Sequence, residues 1–146
     1  MKSAYKYLAL AIALDVLVQA ASIAYAGSGL ASYVDDGNQV SEGTLADAHF
    51  TGVGGYALHT TNGMVVIPLL AIALLVVALL SRVPGAARQA GILLILIVVQ
   101  VGLGGAAGAV PVLGALHGVL ALVVFGLATM IGVRAIRAER STNSTV

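Results

Sequence analysis

Apolar residues fall into four long runs, roughly 5–26, 57–80, 90–110 and 112–133, separated by short polar stretches. Each run reaches the ~20 residues that a helix needs to cross a hydrocarbon core about 30 Å thick. The pattern therefore predicts an all-α integral membrane protein, a single four-helix domain over residues 1–146 with an outer loop over about 27–56. Lys2, Lys6, the first apolar run and Ala24-Tyr25-Ala26 also have the shape of a signal peptide. Asp15 interrupts that run, and the segment is expected to be kept as a helix.

Charge supplies the orientation. Lys2 and Lys6 precede helix 1, Arg82 and Arg88 lie between helices 2 and 3, and Arg134, Arg137 and Arg140 follow helix 4, whereas the loop after helix 1 carries Asp35, Asp36, Glu42 and Asp47 and no basic residue. Lys and Arg are enriched on the cytoplasmic side of membrane helices, which predicts cytoplasmic N- and C-termini and a multi-pass protein of the cell membrane, in contact with lipid. The turn at Val110-Pro111 is so short that helices 3 and 4 must form an antiparallel hairpin, and an up-down-up-down bundle is the simplest closure. Ser41 could cap a short helix in the outer loop.

Composition narrows the chemistry. The chain is 60% apolar and 9% charged, too little charge to cover a water-facing surface. Seven basic against six acidic residues form no clustered basic footprint, so nucleic acid is excluded as a partner. With no cysteine, thiolate metal sites, Fe–S clusters and disulfides are excluded as well.

Polar groups inside a span are costly and mark function or packing. His59 opens helix 2, followed by Asn62 and, one turn on, Gly63; His117 lies early in helix 4, on a stripe with Gly114, Ala121 and Ala128. In this topology helices 2 and 4 face each other diagonally, so both imidazoles are expected near the outer end of one cavity. Two imidazoles from opposite sides, flanked by small residues and with no competing thiolate or carboxylate, suit the axial positions of a haem iron better than a tetrahedral zinc site. One histidine pair implies one haem. His59 precedes Arg82 by 23 residues and His117 precedes Arg134 by 17, a depth difference of roughly 9 Å if both arginines sit at one level; His49 is the competing ligand if that gap persists. Haem propionates would find no cation at the outer end and would rely on water, Asn62, Tyr56, Thr60 or backbone donors.

Asp15, Gln19 and Ser22 fall at i, i+4 and i+7 on one stripe of helix 1, with Gln100 at comparable depth on helix 3. Mutual pairing that fixes helix register is the expectation, a proton or water path the second use. Gly104 and Gly108 form a small-xxx-small motif suited to packing within the bundle. Pro68 is expected to bend helix 2 and to free the carbonyl of Met64.

Gln100-Val101-Gly102-Leu103-Gly104-Gly105, then Pro111, then Ala115-Leu116-His117 resembles a helix pair of the haem A synthase family, in which a Gln followed by Leu-Gly-Gly leads through a short turn to a haem-ligating Leu-His. His59 followed by Gly63 looks like the other ligand helix of the same half. The chain is also similar to small uncharacterised four-helix membrane proteins, and the resemblance covers about residues 55–135. It implies one b-type haem between His59 and His117. The family's haem-oxidising members carry a glutamate three residues before the ligand His of helix 2, or close to it; Tyr56 stands there instead.

The expected function is thus a membrane b-type cytochrome with an electron-transfer or redox role near the outer face. A haem-modifying enzyme similar to haem A synthase and a cofactor-free accessory subunit of a larger complex are the alternatives. With no second histidine pair near the inner face, a quinol or a redox partner protein is expected, and the chain could act as a homo-oligomer or as a subunit of a larger complex.

Overall fold

The computed structural model describes residues 2–41 and 49–143. Four helices are present, each long and apolar enough to cross a membrane: α1 (Lys2–Asp35), α2 (Gly54–Ser81), α3 (Ala86–Ala106) and α4 (Pro111–Asn143). They pack in a closed ring, α1 against α2, α2 against α3, α3 against α4 and α4 back against α1. Helices α2 and α4 are therefore the diagonal pair. All seven basic residues lie at the end that holds the N-terminus, the α2–α3 turn and the C-terminal part of α4, and Asp35 and Asp36 lie at the other.

Two helices outrun their apolar segments. Helix α1 continues past Ala26 because Gly29 lets the Thr51 backbone come so close that a Cβ there would lie 1.6 Å from its carbonyl oxygen. It stops where Gly37 takes φ +86° and donates its N–H to the Val34 carbonyl, the left-handed exit that glycine adopts at least cost. Tyr33, near that exit, stacks at 6.1 Å on the buried Phe50, which meets Tyr56 edge-on at 6.2 Å. At the opposite end α4 runs well beyond Val133, braced by Gly132 against Leu10 and by the ion pair between Lys6 and Glu139. Residues 42–48, including Glu42, Asp47 and most of the expected Ser41-capped helix, lie outside the described residues.

The core is divided along the bundle axis. Its basic half is dry, with Ala9, Ala13, Ala71, Ala78, Ala90 and Ala128 interleaved with Ile12, Leu74, Leu93, Ile97, Val124 and Ile131, all buried. Small residues between large ones let helices approach closely where lipid offers no hydrophobic drive to association. In the acidic half the buried residues include three polar ones, Gln19, Ser22 and Asn62, beside Ala26 and Phe50. Large apolar side chains such as Leu14, Leu69, Leu79, Ile95 and Leu122 point outward on every helix, as a lipid-facing surface requires.

Helix α2 contains a π segment, Asn62–Val66, between α-helical stretches Gly54–Thr61 and Ile67–Ser81. Pro68 supplies no N–H to the preceding turn, and the chain answers with a widened turn just ahead of it, the single-turn π form common at functional sites.

Candidate functional site

Three polar side chains of the acidic half, those of His59, His117 and Gln100, bond to main-chain carbonyls of a neighbouring helix. His59 on α2 donates from Nδ1 to the Gln19 main-chain carbonyl of α1 at 3.1 Å. His117 on α4 donates from Nδ1 to the Gln100 main-chain carbonyl of α3 at 3.0 Å. Gln100 returns the bond, its Nε2 donating to the His117 carbonyl at 2.9 Å. The two hairpins, α1–α2 and α3–α4, thus use one device: a glutamine on the first helix offers its carbonyl to a histidine on the second.

A main-chain carbonyl can only accept, so Nδ1 carries a proton in each ring, and the tautomer this selects has its lone pair at Nε2. Imidazoles that bind metal are held in this way, with the second ring nitrogen donating to a carbonyl or carboxylate that fixes tautomer and orientation. The rings meet across the bundle with centroids 6.0 Å apart and planes inclined at 64°.

The depth gap inferred from the arginines is not present between the rings, for two reasons. Arg82 follows directly on the end of α2, in the left-handed conformation at φ 56°, whereas Arg134 lies inside α4 with nine further helical residues after it. The two arginines are not at one level. The π turn also takes up an extra residue between His59 and Arg82.

The neighbours fall out as follows. Gly104, one turn beyond Gln100, receives the His117 ring; a Cβ there would lie 3.0 Å from Cε1 and 3.1 Å from Nδ1. The missing side chain is what opens the Gln100 carbonyl to the imidazole, a role more specific than the packing expected of Gly104 and Gly108. Gly63 leaves room for the Gln19 side chain, and Gly114 faces Ala107 in the α3–α4 turn. Ala121 is half-buried and Ala128 belongs to the dry core. Asn62 does not point at free space: it is buried and donates from Nδ2 to Asp15 Oδ1 at 2.5 Å. Ser22 bonds the Val18 carbonyl of its own helix. His49 is exposed in the loop before Phe50.

Among the described residues no three His, Asp or Glu side chains converge as a metal-binding group. Four buried polar atoms have no hydrogen-bond partner there: Asp15 Oδ2, Gln19 Nε2, Gln100 Oε1 and Thr129 Oγ1. A groove of about 560 Å³ runs along α1 and the start of α2, lined by Ala21, Ser22, Tyr25, Gly55 and Leu58 among others. Neither imidazole lines it, so it is a feature of the flank and not of the space between the rings.

Residues 46–108 are similar to a family of unknown function, DUF6220. The match is less than half of the chain and includes His59, Gln100 and Gly104 but neither Gln19 nor His117. No curated protein and no solved structure matches the chain, so the resemblance to haem A synthase stands on the Gln100-to-His117 and His59-Gly63 motifs alone.

Proposed function

We propose that this protein is a membrane b-type cytochrome that holds one haem between His59 and His117 in the acidic half of the bundle, the outer half by its charge bias. The observation that carries this reading is the pair of anchored imidazoles from diagonal helices, 6.0 Å apart. The two rings would hold the haem iron between them, each through the Nε2 left free by its Nδ1 bond to a main-chain carbonyl. Among the described residues no third donor joins the two imidazoles, which suits a metal that brings its remaining ligands in a macrocycle.

When bound, the haem supplies a one-electron ferric/ferrous couple. The chain's own work is positional. The Gln19 and Gln100 carbonyls fix each ring through Nδ1 and leave Nε2 for the metal, and Gly104 gives the His117 ring its seat. A single site near one face cannot pass an electron across the bilayer, so exchange with a quinol or a redox partner protein on that side completes the reading.

The test is an absorption spectrum of the detergent-purified protein. A reducible Soret and α band of low-spin bis-histidine haem is expected, lost in His117→Ala while the helical circular dichroism stays. Colourless protein after haem supplementation, or bands unchanged in His117→Ala, overturns the proposal.

A further inference from the structure

We infer that Asp15 is the counter-charge for a cationic centre held by the two histidines, an inference that rests on the proposed function and identifies that centre as the ferric haem core. Charged side chains inside a membrane pair with an opposite charge or line a polar path. Asp15 sits in the middle of α1, and every cationic side chain of the protein lies at or beyond the basic end. The nearest along its own helix, Lys6, is nine residues away, about 13–14 Å at 1.5 Å per residue, and is paired with Glu139.

What meets the Asp15 carboxyl is neutral. Oδ1 accepts from the Asn62 amide at 2.5 Å, and Oδ2 is buried with no partner. Yet the group is tied to the histidine site from both sides. Asp15 is one turn below Gln19, whose carbonyl anchors His59, and Asn62 is three residues beyond His59 on α2. The carboxyl therefore stands about one helical turn, some 5–6 Å, toward the basic end from the imidazoles. A half-buried acid with one buried, partnerless oxygen and no cationic side chain beside it fits a site whose positive charge arrives with the ligand.

The ferric core carries one net positive charge and the ferrous core none. Reduction adds one electron at the iron, makes and breaks no bond at Asp15, and removes the positive charge that the carboxylate faces. Two unit charges a turn or two apart, at an effective dielectric near 20, shift such an equilibrium by about tenfold or more. Asp15 accordingly favours the oxidised state.

Redox titration of the haem-loaded protein tests this. Asp15→Asn keeps the acceptor for Asn62 and removes the charge; its reduced-to-oxidised ratio at a fixed ambient potential should rise about tenfold or more, with the bis-histidine bands intact. Asp15→Glu should stay near the wild type. Gln19→Glu, isosteric and one turn nearer the rings, should shift the ratio the opposite way, and it carries the test if Asp15→Asn fails to assemble. In haem-free protein Asp15→Asn should keep the helical fold, because the asparagine oxygen still accepts from Asn62. Unchanged ratios with intact bands overturn the counter-charge role and leave the cytochrome reading standing. Absence of the bands from the unmodified protein overturns both.

Discussion

Gly104 and His117 stand in direct contact across the α3–α4 interface, so close that any side chain at residue 104 begins 3.0 Å from the ring. The position of an imidazole is thus set by an atom that is missing from the facing helix.

A branched side chain at Gly104 has nowhere to go but into that ring. Gly104→Val should push His117 off the Gln100 carbonyl and abolish most of the bis-histidine absorption. Gly102→Val and Gly105→Val, where a Cβ meets nothing within 4 Å, should leave the spectrum unchanged. Equal spectra for all three variants would mean that the ring does not depend on this seat.

The acidic ends of α1 and α2 are joined by backbone contacts that exclude a methyl group. Gly29→Ala places its Cβ 1.6 Å from the Thr51 carbonyl oxygen and Gly55→Ala places its own 2.4 Å from the Ser22 carbonyl oxygen. Each should cost about 1–3 kcal/mol or more, the range for overpacking, measured by unfolding in detergent. Gly27→Ala, in open space within the same helix, should be neutral or gain up to about 1 kcal/mol from helix propensity.

Gln100 acts through both its side chain and its main chain, and the two can be separated. Gln100→Leu removes the bond from Nε2 to the His117 carbonyl, at a cost of about 1 kcal/mol, partly offset because the partnerless Oε1 goes with it. The bond that orients the His117 ring uses the main chain and survives. Stability should fall slightly while the haem spectrum remains; loss of the spectrum would place the orientation in the side chain.

The absence of cysteine from the chain makes orientation directly measurable. Asn38→Cys, in the exposed turn after α1, should react with an impermeant maleimide on intact cells. Arg140→Cys, exposed on the far extension of α4, should react only after permeabilisation. The reverse pattern would invert the topology and place the histidines near the inner face.

Much of this architecture is legible in the sequence. Four spans follow from apolar runs of sufficient length, and the diagonal placement of His59 and His117 follows from an even helix count and one very short turn. What escapes is whatever depends on close approach. The extensions of α1 to Asp35 and of α4 to Asn143 are held by Gly29 on Thr51 and by Gly132 on Leu10, contacts between segments that no hydropathy window joins. The anchoring carbonyls belong to Gln19 and Gln100, but a carbonyl is common to every residue and leaves no trace in residue type. Gly104, one turn after Gln100, is the sole trace of that geometry. Asn62 reads as a free amide at the cavity mouth because its partner, Asp15, lies 47 positions away.

Because each hairpin contributes one imidazole and the carbonyl that steers it, neither half of the chain can grip a ligand alone. A nascent protein that has inserted only α1 and α2 presents His59 without its diagonal partner His117. On the proposed reading, haem capture would wait until the second hairpin docks, so that a bound haem would mark a completed bundle.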